Sequence, residues 1–331
     1  MSSRFSHYSV GLDKTPANYV ALSPLSFLRR TASVFPNSVS SVYEGREFTW
    51  AETYRRCKRF ASFLARHGIG RGDTVAAMLP NVPAMHELHF SVPMVGAVIN
   101  TLNIRLEAAS IAFQLDHSGA RAILVDAEFS DVIADALSQL KGERPLVIDV
   151  ADAAFTGGRR IGRIEYEEAV AAGDPSFDWE LPPDEWDAIA LSYTSGTTGD
   201  PKGVVTHHRG AYLNAVSNSL AGGLGRHPVY LWTLPMFHCN GWCFPWTVAL
   251  TAGVNVCLRK VDPARIFRLI EAHGVTHMCG APIVYNTLIN SPDAAAATIT
   301  NPVVGLIAGA APPVAVLEGA ENLGIKITHV Y

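Results

Sequence analysis

Short, largely apolar runs at 74–79, 97–99, 122–125 and 146–150 read as buried strands. Between them, 107–117 and 130–141 carry apolar residues at helical spacing. The same spacing links Tyr54, Cys57, Phe60, Ala61 and Leu64, after a T-x-x-E capping pattern at Thr49 and Glu52 and before an exit at Gly68. Pro83 suits the start of a further helix that runs toward Gly96. Over 151–186 the pattern weakens, and Gly157, Gly158, Gly173, Pro175, Pro182 and Pro183 punctuate an acidic stretch that reads as a connection between two lobes. Strands are then expected at 188–193, 230–234, 254–258, 276–279, 303–307 and 325–330, with helices at 210–220, 263–273, 283–290 and 314–322. Continuous apolar strands that alternate with helices predict parallel sheets covered on both faces. The expected class is α/β, with two doubly wound, mostly parallel sheets packed with helices. A first subdomain with its connecting segment spans 1–186, and a second spans 187–331.

Composition narrows the function classes. Of 331 residues, 48% are hydrophobic and 17% charged, enough for a large core and too apolar for a disordered chain. The formal charge of −4 gives no net field to attract nucleic acid or an anionic membrane. The five cysteines are odd in number and scattered, which argues against a disulfide framework. The N-terminal 30 residues contain no apolar segment of signal-peptide length, so a cytoplasmic setting is expected. The uncharged stretch 294–317 is interrupted by Pro302, Pro312 and Pro313, so it reads as strand, turn and helix start rather than a membrane span.

The densest chemistry lies directly after the strand at 188–193. Thr194, Ser195, Gly196, Thr197, Thr198 and Gly199 precede Asp200-Pro201-Lys202-Gly203. Glycines let a backbone approach an anion, successive N–H groups form a nest, hydroxyls add donors, and Lys202 adds a point charge. No other lysine occurs between Lys141 and Lys260. Pro201 before the lysine excludes a Walker loop. Farther on, Pro235-Met236-Phe237-His238-Cys239-Asn240-Gly241-Trp242 combines an aromatic wall with polar donors; a core histidine and a packed tryptophan are the plainer alternative. Zinc at His238, Cys239 and Cys243 fails for want of a second ligand pair at suitable spacing. Gly280-Ala281-Pro282 and Gly309-Ala310-Ala311-Pro312-Pro313 each end a strand and open a helix, and either is also compatible with an ordinary turn. His207 and His208 read as surface or helix-start residues.

The run T-S-G-T-T-G-x-P-K-G resembles the phosphate-loop signature of the adenylate-forming superfamily, and the likeness extends from Leu25-Ser26-Phe27-Leu28 to His329-Val330-Tyr331. Phe48-Thr49-Trp50, Met78-Leu79-Pro80-Asn81, Leu234-Pro235-Met236-Phe237-His238 and Gly280-Ala281-Pro282 are similar to the branch of short- and medium-chain acyl-CoA synthetases and methylmercaptopropionate–CoA ligases. The resemblance implies the large N-terminal domain of such an enzyme, layered αβαβα and incomplete, without the small C-terminal domain. It implies ATP, Mg²⁺ and CoA as the small molecules used, a carboxylic acid as substrate, and a possible homodimer. Thr194 to Gly199 and Lys202 would hold the β- and γ-phosphates, with Thr194 near magnesium and Lys202 and His238 in catalytic roles. His238 would sit beside the acyl carboxyl, Trp242 would wall the acyl site, and Gly280 and Ala281 would border it. Gly309, Ala310, Ala311 and Tyr331 would hold the adenine end.

Family members continue past the tyrosine with Gly-x-Thr-Glu, so by motif order the chain matches the first three-fifths of a member. The expected outcome is a fragment inactive on its own, with apolar surface left uncovered. Two alternatives stay open: a non-catalytic nucleotide-binding module, and an adenylation enzyme with a carrier-protein acceptor.

Overall fold

A computed structural model describes residues 7, 8, 10–194, 200–295, 297 and 299–330. The chain opens with α1 (Leu25–Val34), the hairpin of β1 (Val39–Tyr43) and β2 (Arg46–Thr49), and α2 (Trp50–Arg66). There follow β3 (Thr74–Met78), α3 (Pro83–Ser91), β4 (Val98–Thr101), α4 (Ala108–Ser118), β5 (Ala120–Asp126), α5 (Ser130–Ser138), β6 (Leu146–Val150), β7 (Ile164–Glu165) and α6 (Tyr166–Ala172). A second hairpin, β8 (Ala188–Tyr193) and β9 (Gly203–His207), leads into α7 (His208–Ala221). The remainder is β10 (Val229–Leu231), α8 (Phe244–Leu250), β11 (Val254–Val256), α9 (Pro263–His273), β12 (His277–Gly280), α10 (Pro282–Ile289), β13 (Val303–Ile307), α11 (Val314–Asn322) and β14 (Ile325–His329).

The strands form two seven-stranded sheets, ordered β7-β6-β5-β3-β4-β8-β9 and β14-β13-β12-β10-β11-β1-β2. Every pairing is parallel except β8 with β9 and β1 with β2, which are edge hairpins. Side chains alternate between faces along a strand, and here both faces are covered. In β3, Val75 and Ala77 join a core that also holds Tyr230, Trp232 and Leu306 of the other sheet, together with α2, α3 and α8. Ala76 and Met78 point the opposite way, onto α4 and α5 through Ile111, Leu115, Ile133 and Leu137. On the far side of the second sheet, Leu231, Met278 and Ile307 pack against α9, α10 and α11 through Phe267, Tyr285 and Val316. The layers are therefore αβαβα, as expected.

The sheets do not divide at 186/187. β1 and β2 cross from the first stretch into the second sheet, while β8 and β9 extend the first sheet. The segment 151–186 is also more than a connection. β7 pairs with β6, and Tyr166 of α6 lies 4.9 Å from Phe60 of α2, ring to ring. A two-residue strand and a seven-residue helix are too short to leave a readable period. The capping box forms as expected, with Glu52 N–H donating to Thr49 Oγ1 at 3.2 Å and Thr49 N–H donating to Glu52 Oε2 at 2.8 Å. His208 does start a helix, but it is buried and bonded to Ser23 Oγ at 2.9 Å rather than lying on the surface. Among the described residues no helix is long and apolar enough to cross a membrane.

Candidate active site

Parallel sheets offer ligand sites at the C-terminal ends of their strands, and the sequence motifs fall there. β8 delivers Tyr193 and Thr194, and β9 begins at Gly203 after Lys202. The mouth of this hairpin is closed by two bonds: Thr194 N–H donates to the Lys202 carbonyl at 3.0 Å, and Lys202 N–H donates to Thr194 Oγ1 at 3.1 Å. Both side chains are exposed. Tyr193 Oη lies 2.8 Å from His117 Nδ1 of α4, and burial raises the phenol's pKa. Ser195, Gly196, Thr197, Thr198 and Gly199 lie outside the described residues, as does Tyr331. Among the described residues there is no cluster of three or more His, Cys, Asp or Glu side chains able to hold a metal ion.

The second element of the site follows β10. Asn81, buried at the start of α3, clamps the segment after that strand. Its amide donates to the Trp232 carbonyl at 2.8 Å and the Leu234 carbonyl at 3.0 Å, and its oxygen accepts from Met236 N–H at 2.7 Å. The next turn is left-handed at five consecutive residues: Cys239 (φ 46°), Asn240 (45°), Gly241 (57°), Trp242 (55°) and Cys243 (62°). Each non-glycine residue there costs roughly 1–2 kcal/mol, so the turn must be held from outside. Asn218 of α7 donates to the Trp242 carbonyl at 2.6 Å. Asn240, 4% exposed, accepts from Ser192 of β8 and donates to Thr101 Oγ1 of β4 at 3.1 Å. His238 stands exposed at the head of the turn, its Nε2 3.9 Å from Cys239 Sγ.

A groove of about 470 Å³ opens beside this turn, lined by Thr206 and His207 of β9, Asn214 and Asn218 of α7, and Cys239 and Trp242. A larger cavity of about 530 Å³ is bounded by Gly70, Arg71, Gly96 and Asp187. Those residues precede β3, β4 and β8, so that cavity lies at the N-terminal ends of the strands, away from the motifs.

The remaining motif residues line the matching edge of the second sheet. Thr233 Oγ1 donates to the Cys279 carbonyl at 2.8 Å, Ala308 N–H to the Gly280 carbonyl at 3.3 Å, and Val330 N–H to the Ile307 carbonyl at 2.9 Å. The ends of β10, β12, β13 and β14 are thereby tied in a row. Gly280 is buried, and a Cβ there would stand 3.1 Å from Val284 Cβ, so a side chain would fit only if Val284 of α10 gave way by a few tenths of an ångström. Ala281 caps α10 and is exposed. Gly309 is left-handed (φ 87°) with open space where a Cβ would stand, and Ala310 and Ala311 beside it are exposed, which leaves bare backbone for a flat ring. Asn81, Thr101, Ser192, Asn218 and Asn240 were not among the residues singled out from sequence. Asn81 does fall inside a motif that carries the resemblance, and Asn240 inside the run 235–242, but single side chains that hold loops leave no periodic signal.

Two open, mostly parallel sheets whose strands end in glycine-bearing turns place this chain in the α/β class, in which ligands bind at the C-terminal strand ends. The family model for AMP-binding enzymes matches residues 28–331, and the chain belongs to that family. Among curated relatives, the acetate–CoA ligase CCL3 of Humulus lupulus is 48% identical over 332 residues, covering 97% of this chain and 58% of its own length. The peroxisomal acetate/butyrate–CoA ligase AAE7 of Arabidopsis thaliana matches with the same identity and coverage. The chain thus spans 58% of the length of these relatives. Among solved structures, the inhibitor-bound N-terminal domain of FACL13 from Mycobacterium tuberculosis shares the fold, with a TM-score of 0.83 at 24% identity, over 94% of this chain and 75% of that one.

Proposed function

We propose that the chain carries the ATP- and acid-binding sites of an AMP-forming acid–CoA ligase acting on a short-chain carboxylic acid. The observation that carries this reading is the shared wall of the two sites. β9 leaves Lys202 at the mouth of the hydroxyl-rich loop, and Val205, Thr206 and His207 farther along the same strand line the groove closed by Trp242. An acid in that groove would lie against the strand pair that grips the triphosphate.

In the proposed reaction a carboxylate oxygen bonds to the α-phosphorus of ATP while the bond to pyrophosphate breaks. The CoA sulfur then attacks the acyl carbon, its proton is lost, and AMP leaves. Thr194 and Lys202 bind and orient the phosphates, and the Lys202 ammonium offsets their charge. His238 offers a ring N–H near the acid carboxyl, and Trp242 limits the depth of the groove. Gly309, Ala310 and Ala311 present backbone to the adenine. Magnesium would neutralise phosphate charge when bound. Thr194 would contribute its Oγ1, which already accepts from Lys202 N–H and keeps a second lone pair.

The names of the relatives, acetate and acetate/butyrate ligases, support a short acid and CoA as acceptor. A cytoplasmic setting and a homodimer remain part of this reading; imaging of the tagged protein decides between cytoplasm and the peroxisome named for several relatives, and light scattering tests the dimer. Titration with non-hydrolysable acyl-adenylate analogues tests the function itself. Acetyl and butanoyl analogues are expected to bind at least about tenfold more tightly than the hexadecanoyl analogue. Equal binding across the series, or none, would overturn the reading.

A further inference from the structure

The left-handed turn 239–243 is held to the rest of the molecule by a directed hydrogen-bond chain. Ser192 O–H donates to Asn240 Oδ1, the Asn240 side-chain amide Nδ2 donates to Thr101 Oγ1 at 3.1 Å, and Thr101 O–H donates to the Phe237 carbonyl at 2.8 Å. Both polar ends of the buried Asn240 amide are used, on two different strands. Ser192 stands two residues before Thr194, and the hairpin mouth closes between Thr194 and Lys202. One amide therefore connects the turn that bears His238 and Trp242 to the strand that ends at the phosphate loop.

We propose that Asn240 is a positioning residue that couples the two sites, so that filling the acid groove changes the affinity of the triphosphate site, and the reverse. This rests on the function proposed above for the identity of the two ligands. The physical basis is the turn itself. Five successive left-handed residues cannot deform by degrees: either the turn keeps its conformation or it flips to a right-handed one that relieves the strain. Asn240 holds the strained arrangement only while Ser192 and Thr101 are in place. An acid that packs against Trp242 favours that arrangement and thereby fixes the end of β8. A triphosphate that fixes the end of β8 favours the turn by the same amount, because coupling between binding sites is reciprocal. A residue that merely supports the turn would need one anchor and would transmit nothing to β8.

Two measurements on the whole chain test this. In the first, the dissociation constant of α,β-methylene-ATP is measured with and without saturating butanoate. Butanoate is expected to tighten binding by about fivefold or more in the wild type, and by less than about twofold in N240A, S192A and T101V. Should N240A fail to fold, S192A and T101V carry the test, since they keep the packing and remove single bonds of the chain. A wild-type factor of one, or the full factor retained in variants that melt like the wild type, overturns the proposal. In the second, which needs no ligand, amide hydrogen exchange is followed at Thr194. N240A is expected to speed it about tenfold or more while amides of β5 stay unchanged; an unchanged Thr194 rate overturns the proposal. If the wild type binds neither ligand, the ligase reading fails separately, and the exchange result still decides whether turn and strand are coupled.

Discussion

Asn81 makes three hydrogen bonds to the backbone between Trp232 and Met236 while 8% exposed. Removing its amide strands one donor and two acceptors in the interior, each costing about 1–3 kcal/mol if left unsatisfied. N81A is therefore expected to lose at least about 2 kcal/mol in urea denaturation and to weaken acid binding, because the segment it clamps leads into the His238 turn. An unchanged midpoint would show that the clamp is dispensable. Under the proposed function Trp242 acts differently, by filling space in the groove it lines. W242A should admit longer acids and improve hexadecanoyl-adenylate analogue binding about tenfold relative to butanoyl, within the 1–3 kcal/mol that pocket volume contributes per methylene. The sequence allows tryptophan to be proposed as a wall because bulk is a property of the residue type. The role of Asn81 was not, because what matters is the partner it reaches 151–155 positions away.

At the level of elements, α3 carries two fully buried histidines. Burial lowers the pKa of His86 to about 3 and that of His89 to about 4. His89 Nδ1 bonds the Met85 carbonyl at 2.8 Å and its Nε2 has no partner; His86 Nε2 faces the Asn255 amide at 3.3 Å and its Nδ1 has none. Both rings are neutral in the fold. Burial lowers His208, at the start of α7, to about 4 as well. Unfolded histidine titrates near 6.5, so below that pH the unfolded chain binds protons that the native chain excludes. The stability contributed by these neutral rings is intact above about pH 6.5 and is lost as pH falls toward 4, at up to about 1.4 kcal/mol per histidine per pH unit. Melting curves between pH 7 and 4.5 should fall steeply, and H86Q with H89Q should flatten the slope. A slope unchanged by both substitutions would contradict the assignment.

The same scale shows what the chain's pattern reveals. β6, β8, β13, α9 and α11 lie where the alternation of apolar blocks places them, because each is long enough to show a period and is bounded by Gly, Pro or a cap. β1 and β2 were missed: β2 is partly exposed and carries Arg46 and Glu47, so neither strand rule applies. The left-handed turn 239–243 was also beyond reach, since cysteine, asparagine and tryptophan do not announce positive φ as a glycine run would.

Over the whole molecule, one arginine joins the two sheets. Arg259, after β11, bonds Asp126 at the end of β5 at 2.6 Å, Asp152 beyond β6 at 2.6 Å and Glu128 at 2.7 Å, and its side chain is 6% exposed. Tyr43 of β1 donates to the same Asp152, and burial, then that bond, push its phenol pKa upward. Removing one partner from a buried ionic cluster leaves an uncompensated charge, at about 3–5 kcal/mol. R259M is expected to lose about that much in chemical denaturation, and adding D126N should recover part of it. A loss under about 1 kcal/mol would mean the sheets are held by apolar packing alone. Such rigidity matters to function because Thr194 and Lys202 belong to one sheet's edge and Gly280 and Gly309 to the other's. A ligand that spans both requires the sheets to keep their spacing.

Under the proposed function, the hydroxyl-rich segment from Thr194 to Lys202 grips the phosphates of ATP. Calorimetric titration of the chain with ATP, comparing the wild type with K202A, tests it most directly. Saturable ATP binding is expected for the wild type, weakened about tenfold or more in K202A by loss of a charge-assisted contact, with the melting temperature unchanged. Equal ATP affinity in the two proteins would contradict it.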